Sequence, residues 1–231
     1  MGFSSSGRTY RQEEQVMDCI PANQYVVSYL GAFNHGSKHY IAMEYCDHGD
    51  LGDFIKRAWL GVGVMEIPEW KIWRFLLQLL IGLDHLHQHR IVHSDLKPQN
   101  VFLQGRENSV KIGDFGTSQV LTKNYSFVHE CVGTLFYVSP EVCRGDAFTT
   151  KTDIWSLGCI VYELCTNRKP FEGLSDENLK YKIVNSTHPQ LPEEKGLELA
   201  QVYNACMVKD PQIRPSAAQI LCMPQLQKWA A

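Results

Sequence analysis

The run IVHSDLKPQN, residues 91–100, sets an acid (Asp95), a cation (Lys97) and an amide (Asn100) in a short stretch behind an apolar Ile-Val pair. A loop of that spacing can aim all three groups at one point. A carboxylate there can orient and deprotonate a hydroxyl, a lysine can neutralise charge on a terminal phosphate, and an Asn oxygen can ligate Mg²⁺. A second run, IGDFG at 112–116, places Asp114 just after a strand-like stretch. A carboxylate at that point can hold a metal bridging phosphates, with Gly116 giving backbone freedom. Strand-like residues separate Asn100 from Asp114, so a tight hairpin brings the two pieces together. A lone DFG tripeptide means little, and isolated turn carboxylates are common. Both runs together predict phosphoryl transfer, with Asp95 and Lys97 at the reacting groups and Asn100 and Asp114 at the metal.

The elements that must carry these groups are legible in the hydrophobic pattern. Over 69–88, Ile72, Phe75, Leu76, Leu79, Leu80, Leu83 and Leu86 recur every three or four positions, predicting one long helix with a wide apolar stripe. DIWSLGCIVYELCT, 153–166, is apolar nearly all round and reads as a buried helix. Short strands are expected at IVH, VFL and VKIGD, followed by a long polar segment over 117–134. Nearer the start, Val16, Met17 and Ile20 fall at helical spacing behind Glu13 and Glu14, ending at Pro21. YVVSYLGAF and KHYIAMEY flank the turn NHGS and predict a β-hairpin, and LGDFIKRAW a short helix. The remainder reads as amphipathic helices broken at Pro189, Pro192, Pro211 and Pro215. The fold class is α+β, a small β-containing front on a large helical body.

Composition narrows the partners. A net charge of −3, with the 22 Lys and Arg scattered, gives no basic field for nucleic acid or an acidic membrane. The 8 cysteines form no CxxC pair and read as reduced thiols of a cytoplasmic protein, with nuclear or cytoskeletal placement as the alternatives. Cys159 and Cys165 sit at core positions. No apolar run approaches the ~18 residues that span a bilayer. The start MGFSSS fits an N-myristoylation pattern at Gly2, but one acyl chain without a basic patch anchors only marginally, so no membrane partner is expected.

From Tyr10 to about Gln227 the sequence resembles a eukaryotic protein kinase. VGTLFYVSPE (132–141) resembles the end of an activation segment, KTDIWSLGCIVYELCTNRKPFEG the buried helix and following loop of the large lobe, and KDPQIRPSAAQIL its closing helix. Lys97 and Thr134 are Ser/Thr-kinase features, and MEYCDHGDL, SFVHECVGTLFYVSPE and DIWSLGCIVYELCT are similar to the NIMA-related (NEK) subfamily. The resemblance implies ATP and Mg²⁺ as cofactors and a protein substrate. It implies a partial small lobe at 10–45 after a disordered 1–9, and a large lobe at 46–228. It also assigns roles. Glu141 and Arg214 would pair, and Asp153 would bond the backbone of the catalytic loop. His93, Phe115 and Met17 would stack between the lobes, although plain core packing serves Met17 equally well. Met43 would be the gatekeeper of a hinge whose backbone from Glu44 to Cys46 meets adenine, with Asp50 near the ribose.

Three departures qualify that reading. Before Glu13 the chain shows only MGFSSSGRTYRQ, without GxGxxG or VAxK, so the glycine-rich loop and its strand lysine are expected to be missing from the sequence. Glu13, preferred over Glu14 as the family's helix glutamate, then lacks its partner, and a solvated first-turn acid is an equally good account. Ser94 stands where most kinases have arginine, and Glu130 where the NEK-like pattern carries a threonine. Glu130 reads either as a partial phosphate substitute or as an exposed acid with no role. Thr122, Tyr125 and Ser126 are unspecific modification candidates. Two functions follow: a Ser/Thr protein kinase, or a pseudokinase-like scaffold whose uncovered front needs a protein partner or a second copy of the chain.

Overall fold

The structure, a computed structural model, describes residues 13–60, 66–121, 126–127 and 135–230. Residues 13–18 are helical (α1), and Val16 and Met17 turn into the core as the spacing predicts. β1 (Tyr29–His35) and β2 (Lys38–Met43) form the expected antiparallel hairpin, with Gly36 at φ 61° supplying the left-handed turn residue. Tyr25–Ser28 were expected in the first strand but lie outside it. The backbone of Tyr25–Val27 is taken elsewhere: Val27 N–H donates to the Ile112 carbonyl (2.9 Å) and Ile112 N–H to the Tyr25 carbonyl (2.8 Å). This exchange joins the front directly to the strand that leads into Asp114.

The short helix α2 (Leu51–Leu60) follows, then α3 (Glu69–Gln88), which matches the expected bounds. Every member of its apolar stripe is fully buried. β3 (Ile91–Val92) pairs with β6 (Gln119–Val120), and β4 (Val101–Gln104) with β5 (Ser109–Ile112), both antiparallel. The β4–β5 hairpin is the device that folds Asn100 back towards Asp114. β7 (Ser126–Phe127) pairs with β8 (Ala147–Phe148).

The body is completed by α4 (Pro140–Arg144), α5 (Lys151–Thr166), α6 (Asp176–Asn185), α7 (Leu197–Cys206), α8 (Ala217–Leu221) and α9 (Pro224–Ala230). α5 is buried along nearly its whole length and lies between α3 and α7. Local signals set the ends. Ser175 caps α6, Ser216 and Gln219 form a capping box on α8, and Gly145 closes α4 in a left-handed conformation. Trp73 and Trp155 are almost completely buried, and the core runs continuously from Val16 through α3 and α5 to Leu226. Among the described residues no helix is long and apolar enough to cross a membrane.

Candidate active site

Asp153 organises the loop from below. It is fully buried at the start of α5, where its Oδ2 accepts the His93 N–H (3.0 Å) and its Oδ1 the Ser94 N–H (2.9 Å). These are the loop-backbone bonds that the resemblance implied. A third donor was not foreseen: His87, near the end of α3, gives its Nε2–H to the same Oδ2 (2.8 Å). A carboxylate only accepts, so this contact fixes the tautomer of His87. Nothing in the sequence marks that histidine, because its partner lies far along the chain.

Above this base the three chemically capable groups converge. Lys97 Nζ donates to Asp95 Oδ2 at 2.5 Å, and Asn100 Nδ2 donates to the Asp95 carbonyl (2.9 Å) and to Asp95 Oδ2 (3.1 Å). Pro98–Asn100 form one turn of 3₁₀ helix closed by Asn100 N–H on the Lys97 carbonyl (2.9 Å). The proline presets that turn, which brings Asn100 back over Asp95. With both amide hydrogens given to Asp95, Asn100 Oδ1 is the atom left to take a cation.

Asp114 is held through the residue before it. Gly113 donates its N–H to the Asn100 carbonyl (2.9 Å), and its own carbonyl accepts the Nε2–H of His93 (2.9 Å). A Cβ on Gly113 would come within 2.8 Å of the Phe102 ring and 2.9 Å of Val27, so the close approach requires glycine. Asp114 follows in a left-handed conformation (φ 62°), exposed, with its Oδ1 taking only a long bond (3.4 Å) from Gly116 N–H. Phe115 is fully buried, 5.4 Å from the His93 ring between centroids. An amide oxygen and an exposed carboxylate are hard donors of the kind Mg²⁺ takes, so the residues present fit that ion.

The helix acids separate cleanly. Glu13 Oε2 lies on the Asp114 side, near Gly116, and burial together with the Asp114 charge pushes its carboxyl above the usual range. Glu14 faces the hairpin, 3.0 Å from His39 and 3.4 Å from the Tyr29 hydroxyl.

At the expected hinge, Glu44 donates its N–H to the Ser28 carbonyl (2.9 Å), and its Oε2 accepts from Lys111 Nζ (2.8 Å) and Ser28 N–H (3.2 Å). Burial works against its charge, but the bonds from Lys111, Ser28 and Gln104 hold it below the usual carboxylate range. Lys111, a buried lysine on β5, is a second anchor that sequence reasoning missed. Met43 is exposed beside the hinge, and Cys46 is half-buried, its thiol pushed up by burial and by the charge of Glu44. Asp50 Oδ1 caps α2 by accepting Asp53 N–H (2.9 Å), so this acid has a structural duty besides the ribose contact expected of it.

Arg214 and Glu141 are both buried and paired twice, at 2.8 and 2.9 Å. The remaining guanidinium hydrogens go to the carbonyls of Val208, Lys151 and Lys209, so every donor of Arg214 is used. Gly2, Thr122, Tyr125, Glu130, Thr134 and the side chain of Ser126 lie outside the described residues, as does the run 1–12 on which the missing clamp was expected.

A helical body under a small hairpin, with an acid, a lysine, an amide and a metal-suited carboxylate at their junction, defines a phosphotransferase-like domain. The chain belongs to the protein kinase domain family, which it matches over residues 3–226. It is similar to human serine/threonine-protein kinase Nek5 (38% identical over 202 residues, 87% of this chain and 28% of that protein). It is also similar to human Nek11 (38% over 203 residues; 88% and 31%) and mouse Nek3 (38% over 201 residues; 87% and 38%). The chain thus spans about a third of the length of these relatives. Protein kinases generally use ATP with Mg²⁺ and act on proteins.

Proposed function

We propose that this chain is a protein serine/threonine kinase that transfers the γ-phosphate of ATP to Ser and Thr hydroxyls of proteins. The observation that carries the reading is the convergence of Lys97 and Asn100 on Asp95 within 3.1 Å, with Gly113 tied to both Asn100 and His93. Asp95 accepts the proton of the attacking hydroxyl, and Lys97 balances the charge of the transferred group. Asn100 and Asp114 would hold Mg²⁺, which shields the phosphates when bound. His93, Asp153, Glu141 and Arg214 keep the loop and its floor in place. Cys46 backbone groups and Glu44 face the adenine side, with Asp50 beside the ribose.

The test is transfer of labelled γ-phosphate to a peptide carrying Ser or Thr, beside the same peptide with Ala. Asp95→Asn is expected to lower kcat about 10²- to 10⁴-fold while leaving the melting temperature unchanged. Equal incorporation by wild type and Asp95→Asn would refute the assignment.

A further inference from the structure

Ser94 lies between His93 and Asp95 with φ 63°, a left-handed conformation uncommon for a residue with a side chain. In that conformation its two polar groups reach different elements. Its N–H is fixed on Asp153 (2.9 Å), while its hydroxyl donates to the Thr117 carbonyl (2.7 Å), just past Gly116. The next residue returns the contact, because the Ser118 hydroxyl donates to the His93 carbonyl (3.1 Å). Ser118 N–H closes the turn on the Phe115 carbonyl (3.0 Å), and Leu121 N–H continues the joint to the Arg90 carbonyl (2.8 Å). The stretch 117–121 is therefore laced to 90–94 by neutral hydrogen bonds, two of them hydroxyl-to-carbonyl at the adjacent residues Thr117 and Ser118, just past Asp114's turn.

We infer that Ser94 is a positioning residue. Its hydroxyl docks the stretch after Asp114 onto the loop that carries Asp95 through a neutral acceptor, the Thr117 carbonyl. The kinetic part of this inference rests on the phosphoryl transfer proposed above; the docking itself does not. Ser94 touches neither nucleotide nor substrate in this account. It acts by holding the turn 115–118 and hence the angle at which Asp114 faces Asn100. Removing the hydroxyl leaves the half-buried Thr117 carbonyl without that donor while the backbone bond to Asp153 survives, so the loss is local.

The experiment uses the full chain treated with phosphatase, as wild type and as Ser94→Ala. Hydrogen exchange is followed over 115–121 and, as internal references, over α3 and α5. Loss of one such bond is expected to speed exchange in 115–121 about tenfold with the two helices unchanged. In the transfer assay the dephosphorylated wild type keeps its activity, and Ser94→Ala lowers kcat about tenfold with the peptide KM unaltered. Equal exchange over 115–121 in the two proteins would overturn the inference, as would equal kcat in an active wild type. A wild type that transfers no phosphate, with exchange still faster in Ser94→Ala, would remove the kinase reading and leave the docking role standing.

Discussion

The hairpin front and the helical body of this molecule are held by different means. In the body, Arg214 spends every hydrogen on an acceptor, Asp153 takes three donors, and the apolar stripe of α3 and nearly all of α5 are buried. In the front, Leu30 and Phe33 on β1 are 69% and 56% exposed, and Tyr45 beyond β2 is 82% exposed. The Phe33–Tyr40 stack (5.2 Å between centroids) sits on an open two-stranded ribbon. The front is fastened by Val16 and Met17 in the core, by Tyr25–Val27 on β5, by the Pro21 carbonyl on His85 and by Glu44 on Lys111. The residues proposed for the chemistry sit on the side that is held many times over. Asp95, Lys97 and Asn100 belong to the body, and Asp114 hangs from it through Gly113. The front carries Glu13 and the proposed hinge at Glu44–Cys46. Asp95, Lys97 and Asn100 are thus bonded to one another within the body, whereas the strand leading into Asp114 also takes the front's backbone at Tyr25 and Val27.

Breaking the body should therefore cost far more than trimming the front. Arg214→Met strands Glu141 as a lone buried charge and is expected to destabilise the fold by about 3–5 kcal/mol, read by urea denaturation. Leu79→Ala, on the fully buried stripe of α3, should cost about 2–5 kcal/mol in the same measurement. Phe33→Ala removes only an exposed stack and should stay within about 1.5 kcal/mol. A Phe33 effect as large as that of Leu79 would show that the front is buried in solution and would erase the contrast. The smallest effect is chemical. Burial pushes the Cys165 and Cys206 thiols up to about 12 and Cys159 higher still, so they remain protonated, whereas Cys19 and Cys222 are exposed. Alkylation of the folded chain at pH 8, followed by mass spectrometry, should label Cys19 and Cys222 and spare the three core thiols.

Much of this was legible in the residues. The stripe of α3 is long and strictly periodic, so its bounds and burial followed from period alone. The convergence of Asp95, Lys97 and Asn100 followed because the loop is short and Pro98 leaves the chain few paths. The apolar offsets distinguished Glu13 from Glu14, and the structure turns the two acids to opposite sides, Glu13 towards Gly116 and Glu14 towards His39. What could not be read depends on partners far along the chain. His87 on Asp153, Lys111 on Glu44 and the Ser94 hydroxyl on Thr117 are each set by how helices and loops meet, and no local pattern announces them. The start of β1 was misplaced for the same reason. Tyr25–Ser28 have strand-like residues, but β5 takes the backbone of Tyr25–Val27, and Ser28 bonds Glu44 just past β2.

The most direct test of the central claim, that Asn100 and Asp114 form a metal-dependent nucleotide site on the body, is calorimetric titration of the chain with ATP, with and without Mg²⁺. The account predicts binding in the presence of Mg²⁺ that Asp114→Asn abolishes without changing the melting temperature. Binding that survives Asp114→Asn, or none with ATP in the millimolar range, would contradict it.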